Sequence, residues 1–436
     1  MPEALSLNPD REFVDAVMAS GGGDLKKCYQ CATCAVVCEL ACEDHAFPRK
    51  EMHWAQWGLK ERLVNDPDIW LCHQCNDCSL RCPRGARPGD VLAAIRKQTI
   101  QHFAFPKAVA RWVSSVRATP VMLILLPALL LAAALLVRDP LANALGLHGG
   151  HEAFYAQFFP HWLLIGFYTG FTLLAFAGLA VGLVRFWKGM RAHDEALGRP
   201  APDRAFMPSL LEALGDIFMH RRFGDCGDQK QRRTSHLLAF YGFLALFVVT
   251  VWAVVDLYVM PGLGVESLYP FDLSHPMKIL ANIGGVILVV GTGKAIWDRI
   301  SAPEDGKHQS TAFDWIFVWL LFWVGVTGFA TQAFRFTVTP ETMGAYEYVA
   351  YAVYFTHLVL VFGLLVYLPY SKFAHMWYRT LAMTYAGMTG RVPHSQVKRL
   401  MGEGGEIVTI TAPDPEETGD EVSDAPEEED LAVAGG

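Results

Sequence analysis

The sequence predicts an all-α protein in which a small cysteine-rich head is followed by six membrane-spanning helices. Three observations lead to this fold class: apolar residues make up 52% of the 436 residues, the mean hydropathy is +0.24, and nine of the ten cysteines lie before residue 83. A chain this apolar, with 18% charged residues, is typical of a protein with several membrane spans. The same composition excludes a disordered protein, a coiled coil and a nucleic-acid-binding protein that depends on net positive charge.

The segments outside the membrane are predicted from composition. Residues 1–100 are polar and show no hydrophobic run after a basic start, so they contain nothing like a secretory signal. A cysteine-dense domain without such a signal more often binds metal than forms disulfides. Residues 101–119 follow as a basic amphipathic connector to the membrane. Residues 401–436 form a predicted disordered tail, because twelve acidic residues and no Lys or Arg lie from Glu403 onward.

The membrane domain is predicted over residues 120–400 from six apolar runs, each long enough to cross ~30 Å of hydrocarbon as a helix. The runs are residues 120–137, 161–184, 236–260, 276–297, 313–334 and 346–370. Segment 188–235 holds nine Lys or Arg and the region after residue 370 holds five, whereas the connections on the other side hold none. The positive-inside rule then predicts a multi-pass protein of the inner membrane, with the head and both termini in the cytoplasm.

Eight cysteines form two copies of the spacing C-x2-C-x2-C-x3-C, about 44 residues apart. The first copy is Cys28, Cys31, Cys34 and Cys38, and the second is Cys72, Cys75, Cys78 and Cys82. Three thiolates of such a loop can hold three corners of a [4Fe–4S] cubane, while the fourth cysteine starts the next helix and ligates the other cluster. The sequence therefore predicts one cluster at Cys28, Cys31, Cys34 and Cys82, and a second at Cys72, Cys75, Cys78 and Cys38.

Structural zinc is the alternative for these cysteines. Tetrahedral zinc sites usually take pairs of C-x2-C, however, and not triplets with a distant fourth ligand. Two features depart from the iron–sulfur pattern: Glu39 stands where proline commonly follows the fourth cysteine, and Cys42 is an extra thiol that we expect to be a small buried residue. Two clusters packed together typically pass single electrons, and no nucleotide-binding or haem-attachment motif in the head indicates catalysis of its own.

Histidines in the spans indicate a second kind of redox site. His357 and His375 lie 18 residues apart, which in one continuous helix is five turns and ~27 Å, so both imidazoles would face the same way. This spacing suits two stacked haems b. We pair His375 with His236, because each follows a basic residue by three positions at the inner edge of its span. His357 has two candidate partners, His275 and His161, for which an interfacial role is the alternative.

Both modules resemble known families. The stretch HLVLVFGLLVYLPYSKFAH, from His357 to His375, resembles the last helix of the cytochrome-b subunit of respiratory nitrate reductase, in which histidines at this spacing ligate haem. The head resembles the C subunit of heterodisulfide reductase, which carries the same two cysteine motifs. Their combination resembles the C subunits of quinone-interacting membrane-bound oxidoreductases. The resemblance thus implies an α-helical two-cluster ferredoxin-like head and a six-helix transmembrane haem-b bundle.

This resemblance implies that electrons run between a membrane quinone, one or two haems b, two [4Fe–4S] clusters and cytoplasmic flavin- and iron–sulfur-containing partner subunits. It also implies a link to adenylylsulfate reductase in dissimilatory sulfur metabolism. One departure concerns the outer haem: the nitrate reductase subunit has a second histidine ten residues after the first, whereas Leu246 lies ten residues after His236. Two alternatives stay open: a heterodisulfide-reductase-type subunit with a thiol or disulfide partner, and a zinc-binding membrane anchor.

Overall fold

The computed structural model describes residues 8–41, 46–146, 154–199, 201–221, 230–301, 310–337 and 344–391. Every regular element in this part of the chain is a helix, which confirms the all-α class. The extra thiol Cys42 and the predicted acidic tail, residues 401–436, lie outside the described residues.

Short α-helices build the part of the head that the structure describes. They are α1 (Arg11–Val17), α2 (Thr33–Val36), α3 (Arg49–Gln56), α4 (Lys60–Asn65), α5 (Asp68–Leu71), α6 (Asp77–Leu80), α7 (Pro88–Phe103) and α8 (Lys107–Ser114). Asp10 caps α1, because its carboxylate accepts a hydrogen bond from the backbone N–H of Phe13 at 2.8 Å. Pro88 begins α7 at a position where its missing N–H is not needed. The predicted connector contains α8, on which Trp112 is exposed and Val113 is buried.

Among the described residues, six helices are long and apolar enough to cross a membrane, and each overlaps one predicted span. They cover Val121–Leu145, His161–Ala196, Arg233–Val259, Pro276–Ile300, Ala312–Thr337 and Tyr346–Met388. The α-helices in this region are α9 (Leu126–Leu145), α10 (Phe154–Phe158), α11 (His161–Ala196), α12 (Phe206–Met219), α13 (Lys230–Val254), α14 (Pro276–Ile300), α15 (Ala312–Thr337), α16 (Ala345–Tyr367) and α17 (Ala374–Met388). The prediction of a multi-pass membrane protein is therefore confirmed.

Close contact between α13 and α14 depends on glycine. A Cβ atom added at Gly242 would lie 2.5 Å from the backbone nitrogen of Leu288, and one added at Gly291 would lie 2.5 Å from that of Ala239. Small residues at such crossings let two membrane helices approach until their backbones touch. Helices α14, α15 and α16 then pack against one another in chain order.

The last span differs from the single continuous helix assumed in the sequence argument. Helix α16 ends at Tyr367, a 3-10 turn covers Leu368–Tyr370, Ser371 is extended, and α17 begins only at Ala374. Pro369 lies in this break, and proline has no backbone N–H with which to continue an α-helix. The expectation that His357 and His375 lie five whole turns apart on one helix face is therefore wrong.

The head and the membrane helices share one hydrophobic core. Trp70 of α5 stacks on Tyr378 of α17 with ring centroids 5.2 Å apart, and its edge packs against Phe186 of α11 at 6.1 Å. All three rings are fully buried. Helix α5, which directly precedes the second cysteine motif, is therefore held against two helices of the membrane bundle.

A buried ion network reinforces this junction. Arg391, which follows α17, donates hydrogen bonds to both carboxylate oxygens of Asp194 in α11 at 2.6 and 2.8 Å. It also donates to Asp68 of α5 at 3.1 Å. One guanidinium thus joins the head to the ends of two membrane helices.

Candidate metal centres

The structure brings together the first predicted set of thiols. Burial, followed by the nearby thiolates of Cys28, Cys82 and Cys31, raises the pKa of Cys34 to about 11. Burial also raises the pKa of Cys28, and the charges of Cys82 and Cys31 add to this. Cys82 of the second motif therefore lies among the first three thiols of the first motif.

The second set is arranged in the same crossed way. Burial raises the pKa of Cys38, and its strongest charged neighbours are Cys72 and Cys75 of the other motif. Burial raises the pKa of Cys78 as well, with Cys72, Cys38 and Cys75 adding to the shift. One cavity is lined by all four of these residues. Thiols with raised pKa values are protonated at neutral pH, so metal binding here would release protons.

The two thiol loops repeat one backbone conformation. The residues two and four positions after the first cysteine of each motif are left-handed: Gln30, Ala32, Gln74 and Asn76. Such turns direct backbone N–H groups inward, where they favour anions. The N–H of Gln74 donates to Sγ of Cys72 at 3.2 Å, and that of Ala86 donates to Sγ of Cys82 at 3.3 Å. Hydrogen bonds of this kind tune the potential of iron–sulfur clusters.

The spacing of the thiols does not fit one zinc ion. Sulfurs around a tetrahedral zinc would lie about 3.8 Å apart, given a Zn–S distance of about 2.3 Å. Among the described residues, the side chains that bring three donor atoms within 4.8 Å of one another are Glu51, Asp66 and Asp68, and no three of the described cysteines do so. A cubane places each thiolate on a different iron and therefore separates its ligands more widely. The arrangement favours [4Fe–4S] clusters.

A lysine ammonium already lies among these three carboxylates. The ammonium of Lys50 lies 3.1 Å from Glu51, 2.9 Å from Asp66 and 2.7 Å from Asp68. Burial raises the pKa of Glu51 to about 8, although the Lys50 charge opposes this shift. A lysine thus occupies the position that a metal ion would take, so we read this cluster as structural.

His236 lies beside a histidine that the sequence argument did not pair with it. Nε2 of His220 is 3.0 Å from Nδ1 of His236, and Nδ1 of His220 is 3.2 Å from the carbonyl oxygen of Phe218. Burial lowers the pKa of His220, which favours its neutral form. Because a carbonyl only accepts, Nδ1 of His220 carries the proton and its Nε2 accepts from His236. This tautomer puts the lone pair of His236 on Nε2, the nitrogen that a metal would take.

The segment that precedes His375 packs against the helix that carries His236. Phe373, two residues before His375, packs against Phe243 of α13 with ring centroids 4.8 Å apart. Nδ1 of His375 contacts the backbone carbonyl of Lys372, which again puts the lone pair on Nε2. Both imidazoles are exposed on the surface of the chain.

His357 is placed differently from its two candidate partners. It lies in the middle of α16, about 18 Å from the start of that helix, and its Nδ1 is 3.0 Å from the hydroxyl of Thr327 in α15. His275 caps the start of α14 by accepting from the N–H of Met277, and His161 is the first residue of α11. As alternate spans, these helices run in the same direction as α16, so both histidines lie at a different depth from His357.

Two arginines that the sequence argument missed hold the second thiol loop, one from a membrane helix and one from the head. Arg379, one turn after His375 in α17, donates to the carbonyl oxygen of Cys72 at 3.1 Å and contacts Nδ1 of His73 at 2.9 Å. Arg96 of α7 donates to the same carbonyl at 2.8 Å. The spacing of four residues between His375 and Arg379 was the one signal in the sequence, because it places both on one helix face.

Comparison with known proteins identifies relatives of both regions. The chain is similar to Citrate utilization protein B of Escherichia coli, with 28% identity over 321 residues that cover 72% of this chain and 79% of the relative. It is also similar to the C subunit of the H(2):CoB-CoM heterodisulfide,ferredoxin reductase of Methanothermobacter marburgensis, with 35% identity over 91 residues, which is 21% of this chain and 49% of the relative. It thus spans about half the length of that relative.

A third relative is the E subunit of the dihydromethanophenazine:CoB--CoM heterodisulfide reductase of Methanosarcina acetivorans, 27% identical over 227 residues, or 49% of this chain and 79% of the relative. No solved structure matches the chain. Residues 24–86 match the family described as 4Fe-4S dicluster domain, and this range contains all eight cysteines of the two motifs. Residues 114–395, more than half of the chain, match the family described as Citrate utilization protein B, and this chain therefore belongs to the citrate utilization protein B family.

Proposed function

We propose that this chain is the membrane-bound electron-transfer subunit of an oxidoreductase complex. Electrons pass between a membrane quinone and soluble partner subunits that contain flavin and iron–sulfur centres. The observation that carries the proposal is the contact of Arg379 with the Cys72 loop, because it joins a candidate haem helix to a candidate cluster site. The dicluster match and the heterodisulfide reductase relatives support a redox role.

The cysteines hold two [4Fe–4S] clusters in the crossed sets: Cys28, Cys31, Cys34 and Cys82, and Cys72, Cys75, Cys78 and Cys38. When bound, each cluster takes up and releases one electron at a time. Cys34 acts electrostatically on Cys78, so the two sets are neighbours. Electrons enter or leave the head on its membrane side at the Cys72 loop, where Arg379 and Arg96 fix the backbone.

His236 and His375 are the proposed ligands of one haem b. Phe373, the residue that precedes the helix of His375, packs against Phe243 in the helix of His236, and in both histidines the hydrogen bond made by Nδ1 directs a lone pair to Nε2. For a second haem the described residues do not offer a matched pair. His357 is the one described histidine in the middle of a span, while His275 and His161 lie at helix starts. We therefore propose a single haem.

Replacing His375 by alanine is expected to remove the haem and to stop quinone-dependent reduction of the clusters, because an imidazole ligand is lost. The reduced-minus-oxidised optical spectrum and the haem content of the purified protein measure this. His161→Ala and His275→Ala are the matched controls and should keep full haem content. Full haem content and activity in His375→Ala would refute the pairing, and two haems per wild-type chain would refute the single site. A colourless, zinc-containing sample would leave only the membrane-anchor alternative.

Replacing Arg379 by glutamine is expected to slow electron transfer between the haem and the clusters without loss of iron. The guanidinium orients the Cys72 carbonyl and places a positive charge beside the second thiol set. We expect that cluster to become harder to reduce, because a nearby cation favours the reduced form. Redox titration by EPR and stopped-flow haem oxidation measure the two effects. Arg117→Gln is the control, because Arg117 is exposed. Equal cluster potentials and equal rates of haem oxidation in the two variants would contradict a role of Arg379 in electron transfer.

Two candidates exist for the soluble partner of this chain. The resemblance to quinone-interacting oxidoreductases supports subunits that serve adenylylsulfate reductase in sulfur metabolism. The match to Citrate utilization protein B of Escherichia coli, over 79% of that protein, favours instead a partner that acts in citrate utilization. Co-purification of the tagged chain from its native membrane, with identification of the bound flavoprotein, distinguishes these candidates from a heterodisulfide-type partner.

A further inference from the structure

The cysteine-rich head is an internal repeat, and its two halves can be compared position by position at an offset of 44 residues. Tyr29 corresponds to His73, Cys31 to Cys75, and Val36 at the end of α2 to Leu80 at the end of α6. Helices α2 and α6 pack against each other. Each half therefore presents an equivalent face over its own thiol loop.

The face over the second loop is partly covered by the chain itself, although Leu80 is 43% exposed. His73 contacts the guanidinium of Arg379 from α17, and Cys75 is half-buried. The preceding helix, α5, is buried against the membrane helices through Trp70. The His73 end of this face therefore already packs against the membrane helices.

The equivalent face over the first loop is open. Tyr29 is 68% exposed, Val36 is 84% exposed, and Cys31 is exposed, whereas its counterpart Cys75 is not. The contact recorded for Tyr29 is with Arg84, whose guanidinium lies 4.1 Å from the ring centroid and donates to the hydroxyl at 2.8 Å. We call Tyr29, Cys31, Val36 and Arg84 the Tyr29 face.

Exposed cations lie close to this face in the sequence, and Arg84 contacts Tyr29 directly. These cations are Lys26, Lys27, Arg49, Arg81 and Arg84. Thr33 gives the hydrogen bond that most lowers the pKa of Cys31, and the Arg49 charge adds to it, so Arg49 lies within electrostatic reach of the loop. Asp24 pairs with Lys27 at 2.7 Å, and the exposed Glu39 lies three residues after Val36, so two acidic residues offset part of the five positive charges. The rim therefore remains positive.

We propose that the Tyr29 face is the docking site for a soluble electron-transfer protein with an acidic surface around its redox centre. The inference rests on the proposed function and adds to it the side of the head on which electrons are exchanged with the partner. An apolar, aromatic centre with a charged rim is typical of a protein interface. A positive rim speeds association with an acidic partner more than it strengthens the complex.

The test uses the intact chain in detergent and a reduced acidic ferredoxin as the probe. Stopped-flow mixing gives the second-order rate constant for cluster reduction at low and high ionic strength. The double variant Lys26→Glu/Arg84→Glu reverses two charges of the rim. Arg11→Glu is the control, because Arg11 is 94% exposed on α1 and lies outside the face. Iron content and reduction by dithionite are measured for each protein.

We expect the double variant to react about tenfold more slowly at low salt and to lose most of the salt dependence, while Arg11→Glu behaves as wild type. Equal rates in the double variant and the control would overturn the docking site. A particle mass that halves in the double variant would also overturn it, because the face would then join two copies of this chain. Clusters that dithionite cannot reduce in wild type would instead refute the proposed function itself.

Discussion

Replacing Cys38 by alanine is expected to abolish the cluster of the Cys72 loop and to leave the cluster of the Cys28 loop in place. Cys38 belongs to the first motif in the sequence, but its thiol lies with Cys72 and Cys75 of the second. Loss of one of four thiolates exposes an iron corner, which destabilises a cubane. Bound iron should fall by about half, since both clusters contain equal numbers of iron atoms.

The EPR spectrum of the reduced protein, together with its iron content, measures this result. Cys38→Ala should leave the same residual spectrum as Cys75→Ala, which removes a ligand of the same set. Cys82→Ala should match Cys31→Ala in the same way. A Cys38→Ala spectrum that matched Cys31→Ala would mean that each motif holds its own cluster, and the crossed assignment would be wrong.

The crossed assignment stays a prediction from local chain geometry, since three cysteines spaced by two residues share one loop. The expectation that the fourth cysteine starts the next helix is wrong. Cys38 follows the short helix α2 and Cys82 follows α6, whereas the next described helices begin at Arg49 and Pro88. The six spans could be predicted for a similar reason, because a run of about 20 apolar residues can satisfy its backbone in lipid only as a helix.

Contacts between distant parts of the chain could not be predicted in this way. Arg379 reaches the carbonyl oxygen of Cys72 across more than 300 residues, and no local pattern marks Cys72 as its partner. The contact between His220 and His236 likewise depends on how α12 packs against α13. The break near Pro369 is a different case, because the proline stands in the sequence and its ring and missing N–H interrupt an α-helix locally.

Replacing Arg391 by alanine is expected to destabilise the junction between head and bundle by about 3 kcal/mol, at the lower end of the range for breaking a buried ion pair. Arg391, Asp68 and Asp194 have side chains only 5%, 6% and 5% exposed. Without the guanidinium, two buried carboxylates lose a counter-charge. We expect the loss of stability to stay near the lower end of that range because each carboxylate retains one cationic partner. Asp68 still pairs with Lys50, and Asp194 still pairs with Arg199.

The midpoint for thermal loss of iron–sulfur absorbance in detergent measures this change. Arg199→Ala is the control, because Arg199 also pairs with Asp194 but its side chain is 20% exposed, against 5% for Arg391. We expect it to cost about 1 kcal/mol or less. Arg391→Lys should fall between the two, because lysine keeps the charge but not the two-pronged geometry. Equal midpoints for Arg391→Ala and Arg199→Ala would contradict a special role for Arg391.

A double variant separates the two possible origins of this effect. If Arg391 matters because its loss leaves buried charge uncompensated, then neutralising Asp194 as well should restore part of the stability. Arg391→Ala/Asp194→Asn is then expected to be more stable than Arg391→Ala alone, because the desolvation penalty of one carboxylate is removed. If the arginine matters instead through the packing of its side chain, the losses of stability caused by the two substitutions should add. A double variant less stable than Arg391→Ala would therefore show that shape, and not charge, holds the head against α11 and α17.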